Sequence, residues 1–223
     1  MMTEIKNDCY KGTRILIGNE KRIYLNKMIQ TLISRGFNEI SIPIIQYSDV
    51  FENKVGEENN NLMFNFQDRA ERKLCLAPEY TAVMQKLSLN KFKYIKNCML
   101  FYIQECFRGE KPQAGRYRQF TQLGVEILNP TEDVTEYLIR LARELISNTI
   151  LPQPKHWYDD VYTKNLIIST DTKRGLDYYK EGKGFEISYE LLGAQKQICG
   201  GGCYEGGAGF AIGVDRLLLI DKP

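Results

Sequence analysis

Arginines at 108, 116 and 118 stand in the run FRGEKPQAGRYRQFTQLGVEIL, residues 107–128. Glu110 lies among them, and Gln122 and Glu126 follow. Guanidinium groups make charge-assisted, often bidentate bonds to phosphate oxygens, so such a run can clamp a polyphosphate. Two more arginines stand in suggestive company: Arg174 in TKRGLDYY, beside Tyr178 and Tyr179, and Arg216 in GFAIGVDR. Arg108, Arg174 and Arg216 could together surround a polyphosphate. The bland alternatives are a solvated hairpin tip and a surface ladder of arginine and tyrosine. Which holds depends on where the flanking residues point.

The elements that would position them read as follows. Residues 19–35 repeat Leu25, Met28, Ile29 and Leu32 at helical spacing, with Gly36 as the stop. NEISIPII alternates Ile40, Ile42 and Ile44 as a strand until Pro43, at or near a sheet edge. VGEENNN is a loop, and residues 62–66 and 73–77 are two strands joined by the charged turn QDRAER. Pro78 and Glu79 open a short helix carrying Val83, Met84 and Leu87. Residues 99–108 and 119–128 have strand length and composition. Gly109, Pro112 and Gly115 between them give an antiparallel hairpin whose tip is too long for a tight turn. Thr131 is the expected cap of a helix marked by Val134, Leu138, Leu141 and Leu145, followed by the surface connection LPQPKHWYDD. Strands follow at 166–169, around 176–179, at 185–189 and around 197–199. Gly200, Gly201 and Gly202 then break the pattern, and GFAIGVDRLLLI is a final helix. This order lacks regular βαβ alternation and predicts an α+β fold: a mostly antiparallel sheet flanked by helices, in one domain spanning 1–223.

Side-chain alternation divides the hairpin. Thr121, Leu123, Val125 and Ile127 form a core face, and Phe120, Gln122, Gly124 and Glu126 face the other way, joined by Tyr102, Gln104, Cys106 and Arg108. A small Gly124 among long polar side chains suggests a floor on which something sits. Seven glycines between 200 and 213 offer close backbone approach beyond what a connecting turn needs.

Composition sets limits. The net charge of +2 excludes a chain that is basic throughout, so any polyanion must be met locally. Six cysteines with a single histidine, His156, lack the paired spacing of a zinc site, and no metal-ligating residues are assigned. No apolar run is long enough to span a bilayer, and the polar start has no signal-peptide core. With scattered thiols, this gives the expectation of a cytoplasmic protein without membrane contact.

KGTR at 11–14, APEYTA at 77–82, the long arginine run, RGLDYY at 174–179, GGGCYE and GFAIGVDR occur in an order that resembles the catalytic core of class II aminoacyl-tRNA synthetases, within them the histidyl-tRNA synthetase family. The resemblance implies a six- or seven-stranded antiparallel sheet, a homodimer built partly through the segment around Pro43, and a site for ATP and histidine. By position, it implies that Arg108 holds the α-phosphate, Glu110 and Arg116 embrace the nucleotide, and Arg216 meets its far phosphates. Glu79, Thr81 and Gln122 would receive the amino group of histidine, and Glu126 and Tyr179, with Tyr178 beside it, would form the imidazole pocket. Arg174 would neutralise the carboxylate and the α-phosphate. Mg2+ is implied only as the companion of ATP, with Glu126 or a neighbouring acid in reach.

Three departures qualify what is implied. Seven residues follow Arg216, where the family continues into an anticodon-binding domain, and only 47 separate Glu126 from Arg174, where it usually carries a helical insertion. The glycine segment is compressed, with Cys203 in the place of an arginine. The expectation is therefore histidyl-adenylate formation, with efficient charging of tRNA argued against. The alternative is a histidine-sensing regulatory subunit of ATP phosphoribosyltransferase, towards which Thr121, in place of a more usual histidine, leans. A sensor has no need of a phosphate clamp, and the retained arginines favour nucleotide chemistry.

Overall fold

The computed structural model describes residues 3–5, 9–52, 61–150, 164–170, 179–193 and 195–220. Among them a seven-stranded mixed sheet runs in the order β3-β7-β8-β12-β11-β10-β9. Its strands are β3 (Asn38–Glu39), β7 (Cys98–Phe107), β8 (Gln119–Leu128), β9 (Leu166–Thr170), β10 (Tyr179–Tyr189), β11 (Gln197–Tyr204) and β12 (Gly207–Gly213). Only β3 with β7 is parallel; the other neighbours are antiparallel. A three-stranded sheet holds β4 (Ile45–Tyr47), β6 (Lys73–Leu76) and β5 (Phe64–Gln67), and a small pair joins β1 (Thr3–Ile5) to β2 (Ile15–Ile17).

Helices cover both faces of the large sheet. Helix α1 (Glu20–Ser34) and helix α3 (Thr135–Ile150) lie on one. Tyr24, Leu25, Met28 and Leu32 from α1 and Leu138, Leu141 and Leu145 from α3 pack there on Phe101, Leu123, Val125 and Phe210. Helix α2 (Thr81–Leu89) lies on the other, where Ala82 and Met84 meet Leu100, Tyr102, Cys106 and Tyr204. Helix α1 ends as its sequence suggests: Gly36, at φ +84°, donates to Ile33 O, and Phe37 N–H reaches back to Leu32 O. No helix among the described residues is long and apolar enough to cross a membrane.

Several expectations require correction. The NEISIPII strand is broken: β3 stops at Glu39, β4 starts at Ile45 in a different sheet, and of its isoleucines only Ile42 is buried while Ile44 is exposed. Thr131 does not cap α3. The Asp133 carboxylate does, accepting Thr135 N–H at 2.9 Å and its hydroxyl at 2.6 Å, while Thr131 bonds Asn97. These contacts and Lys183 hold the Asp133 carboxyl well below the usual carboxylate range. Gly200, Gly201 and Gly202 do not break a strand but lie inside β11. A Cβ on Gly201 would meet Gly209 O at 2.4 Å and the Phe185 ring at 2.8 Å, so this glycine admits the close approach of a neighbouring strand and a ring rather than a turn. The expected final helix is mostly strand. Ala208, Phe210 and Ile212 alternate into the core along β12, a period of two that the glycine-rich composition obscures, and only α4 (Val214–Leu217) is helical. The loop VGEENNN, all but its last residue, the connection LPQPKHWYDD and the strand around 176–178 lie outside the described residues.

Gly124 has a different partner from the one its setting suggests. A Cβ there would fall 2.0 Å from Cζ of Tyr102, its cross-strand neighbour, so the floor is already occupied by that ring. Gly124→Ala is expected to cost about 1–3 kcal/mol in urea unfolding through this clash. In a Tyr102→Ala background the same change should cost far less, and an undiminished cost in the double-mutant cycle would mean that the ring is not the cause.

Candidate active site

The long hairpin tip is fastened at its base. Arg118 Nε donates to Glu110 O at 3.0 Å, its Nη1 donates to Tyr10 Oη at 2.9 Å, and Arg118 N–H reaches Gly12 O at 2.8 Å. This arginine therefore ties the tip to the segment before β2 and does not face a ligand. Arg14, two residues beyond Gly12, forms a buried ion pair with Asp215 of α4 and stacks its guanidinium 3.6 Å from the centroid of Tyr117. The other Asp215 oxygen accepts Thr121 N–H at 2.5 Å.

Inside this frame lies a cavity of about 290 Å³. Arg108, Glu110, Arg116 and Arg216 line one part of it, and Glu79, Thr81, Gln122 and Tyr179 also contribute to its wall. Arg108 is aimed by a 2.8 Å bond from Nε to Pro78 O and lies 5.3 Å from the Phe120 ring centroid. Arg116 pairs with Glu110. Arg216 donates from Nε to Gly115 O at 2.8 Å and from Nη1 to Gln197 O, which folds the tip down onto α4. Burial lowers the affinity of the Arg216 guanidinium for its proton, and Arg108 and Arg116 lower it further. Positive charge is thus concentrated where an anion would relieve it.

Elsewhere on the wall, the Glu79 carboxylate accepts Thr81 N–H at 2.6 Å and Ala82 N–H at 3.0 Å at the start of α2. Gln122 Oε1 accepts the Cys106 thiol at 3.3 Å, which leaves its amide N–H groups for another partner. Glu126 is not on the cavity wall. It is fully buried beneath it, its Oε2 accepts the Tyr204 hydroxyl at 2.8 Å, and a Cβ on Gly209 would fall 1.8 Å from that same oxygen. Its Oε1 and the Tyr102 hydroxyl have no protein partner among the described residues. Burial first, and then the charge of Glu79, push the Glu126 carboxyl up to about 8 against the pull of the Tyr204 bond. The expected contact of Glu126 with Mg2+ therefore has no geometric support. Arg174 and Tyr178 lie outside the described residues.

Sequence reasoning missed Tyr204, Asp215, Glu186 and Phe120. Tyr204 and Asp215 stand in the quoted motifs GGGCYE and GVDR, but their roles depend on strand register and on a partner 201 residues away in sequence. Glu186 on β10 and Phe120 on β8 line the cavity. The compressed glycine segment is a hairpin in which Tyr204 pairs with Gly207 across Glu205 and Gly206, and Cys203 Sγ lies 3.2 Å from Thr135 Oγ1.

A family model described as histidyl-tRNA synthetase matches residues 19–154. The histidine-tRNA ligase of Methanococcus aeolicus is 38% identical over 94% of this chain and 75% of its own length, and that of Methanosarcina acetivorans is 27% identical over 94% and 74%. These alignments run to 316 and 308 positions, longer than the 223-residue chain, so the relatives contain internal segments that it lacks. Among solved structures, apo histidyl-tRNA synthetase of S. aureus gives a TM-score of 0.69 at 23% identity, covering 96% of this chain and 69% of that one. An ATP phosphoribosyltransferase regulatory subunit/histidyl-tRNA synthetase from Bacillus halodurans gives 0.70 at 15%, covering 98% and 84%. These two likenesses establish the α+β fold alone.

The raised Glu126 carboxyl carries a stability consequence. Above the ordinary carboxylate range the unfolded chain has lost this proton, while the folded chain keeps it up to about pH 8. Stability therefore falls as pH rises between those limits. Glu126→Gln should flatten that slope and, above pH 8, exceed the parent protein by on the order of a few kcal/mol in urea unfolding. Parallel profiles for the two proteins would contradict the assignment.

Proposed function

The chain belongs to the histidyl-tRNA synthetase family, and from that footing we propose that it activates histidine with ATP. A carboxylate oxygen of histidine attacks the α-phosphorus, the bond to the bridging oxygen breaks, and pyrophosphate leaves with the electron pair. The observation that carries this reading is the meeting of Arg108, Arg116 and Arg216 in a cavity that also presents Glu79 and Gln122. Arg108 would hold the α-phosphate and Arg216 the leaving phosphates, each aimed in advance by backbone carbonyls. A preorganised donor of this kind is worth roughly 3–4 kcal/mol of barrier. Glu110, now paired with Arg116, would release it to the nucleotide, and Phe120 offers a ring face. Arg174 would neutralise the carboxylate.

The ammonium group of histidine suits the buried Glu79 carboxylate, Thr81 and Gln122. Glu126 Oε1 and Tyr102 Oη, without partners among the described residues, suit the two edges of an imidazole, with Tyr179, and Tyr178 beside it, completing the pocket. A buried polar atom left unpaired costs about 1–3 kcal/mol, which the ring would recover. A neutral carboxyl with neutral imidazole holds the same protons as a carboxylate with imidazolium. The pair can therefore take up the ring without adding net charge to the interior. Among the described residues no three His, Cys, Asp or Glu side chains converge as metal ligands. Mg2+ is accordingly proposed only as the companion of ATP, held by phosphate oxygens and water, and no step rests on it.

The second reading, a histidine sensor, draws on Thr121, which stands where a histidine is more usual, and the likeness to the Bacillus halodurans regulatory subunit/synthetase extends to the fold alone. This reading leaves the three guanidinium groups without a use. The proposed reaction ends at the adenylate; transfer to tRNA is not part of it.

The test is histidine-dependent exchange of labelled pyrophosphate into ATP. Exchange is expected, with a fall of about 10²-fold or more in Arg108→Ala. Histidine binding by calorimetry with no exchange in the parent protein would replace this reading with the sensor.

We also propose that a second copy covers the apolar surface formed by Ile44, Ile45, Tyr47 and Phe66, all exposed, beside a groove of about 560 Å³ lined by Ile42 and Pro43. Ile45→Glu should then elute as a monomer where the parent protein elutes as a dimer. A parent protein that is monomeric across the concentration range would exclude this contact.

A further inference from the structure

Residues 10–14, which include the KGTR motif, take no part in the reaction proposed above, yet they are built into the tip of the β7–β8 hairpin. Thr13 N–H and its hydroxyl both reach Tyr10 O, at 3.0 and 2.7 Å, and close a turn. Arg118 Nη1 donates to that turn at Tyr10 Oη, 2.9 Å away, and at Lys11 O, 3.3 Å away. Gly12 sits at φ +90°, and a Cβ there would fall 2.8 Å from Pro112 Cγ and 2.9 Å from Arg118 Cγ. The segment is therefore a strap pressed against the tip, and Arg14 is its end.

Arg14 touches two residues, and each is the chain neighbour of an arginine on the cavity wall. Its guanidinium stacks 3.6 Å from the Tyr117 ring centroid, next to Arg116, and pairs with Asp215, next to Arg216. Tyr117 belongs to the hairpin tip and Asp215 to α4, so one planar group spans the two elements that carry these arginines. A buried ion pair often contributes no net stability over apolar side chains of similar volume, so holding the elements together does not by itself call for charge here. A guanidinium fixes direction as well as contact, because it stacks on a face and bonds at an edge. Arg108 stands outside this arrangement, aimed by Pro78 O.

We propose that Arg14 is a positioning residue for ATP. It sets the spacing of Arg116 and Arg216, and with it their fit to the phosphates beyond the α-phosphate, and it leaves the α-phosphate position at Arg108 alone. The inference rests on the reading that this cavity takes ATP.

The test is calorimetry of the full chain with AMP and with an ATP analogue carrying a methylene bridge between its α- and β-phosphorus. Arg14→Lys keeps a charge beside Asp215 and loses the planar face on Tyr117. It is expected to weaken the analogue about tenfold and to leave AMP unchanged. In pyrophosphate exchange it should raise the KM for ATP and lower kcat by up to about 10²-fold, with the KM for histidine unchanged. Gly12→Ala, which pushes the strap off the tip without touching the ion pair, should give the same pattern. So should Arg14→Met combined with Asp215→Asn, which removes both charges and strands neither. Equal losses for AMP and the analogue, in step with the urea midpoint, would overturn the proposal in favour of a purely structural strap. Unchanged analogue affinity in Arg14→Lys and in the double variant would also overturn it, as would a parent protein that binds the analogue no more tightly than AMP. A parent protein without exchange, whose analogue affinity still falls selectively in Arg14→Lys, would sink histidine activation and support the role of Arg14.

Discussion

The buried pair of Arg14 and Asp215 is the contact on which the site depends. Their side chains are 6% and 7% exposed. Desolvating two charges costs several kcal/mol per ion, so the pair persists only because each partner is satisfied in further ways. Arg14 also stacks on Tyr117, and Asp215 also accepts the Thr121 backbone N–H. One interaction thereby joins the chain before β2, the start of β8 and helix α4. These three pieces set the height of the hairpin tip above the sheet. Arg216 follows Asp215 directly, and its bonds to Gly115 and Gln197 continue the same frame.

Below that frame the sheet changes character along its length. At the tip end, arginines and Glu110 meet at an open cavity, where high local positive charge is balanced only in part. Deeper in, Gln122 gives way to Gly124 and Glu126, and the surroundings become dry. Tyr102 fills the space above Gly124, and the Glu126 carboxyl presses against Gly209. Burial raises the proton affinity of that acid, while Glu79 on the wall is held by two backbone N–H groups. Two carboxyl groups on one side of the sheet therefore have different environments, one fixed by the start of a helix and the other by burial.

Much of this was legible in the sequence. Helix α1, with its glycine stop, and the β7–β8 hairpin follow from local periodicity and turn residues, because their contacts lie close along the chain. Eight of the site residues expected from motif order, Tyr179 among them, meet in the cavity wall. What escaped depends on distant partners. The use of Gly124 is set by Tyr102 across the ladder, and the strand nature of residues 207–213 is set by pairing with β8 and β11. Arg118 reads as one more phosphate ligand until Tyr10 and Gly12 appear beside it. Thr131 reads as the cap from its type alone, but the helix begins at Thr135, which puts its first N–H within reach of the Asp133 carboxylate instead.

The pairing of β8 with β12 joins residues 119–128 to residues 207–213, and the cavity forms only once that pairing is made. The entropy lost in closing so long a loop grows with the logarithm of its length, so doubling the intervening chain adds only about 0.6 kcal/mol. A segment inserted between these strands is therefore nearly without effect on the stability of the sheet, as is its removal. This is a route by which relatives can differ by long internal segments while keeping the same sheet. The cost appears instead in time: a non-local closure of this kind is slow to find, and the binding site would be among the last features of the chain to form as it folds.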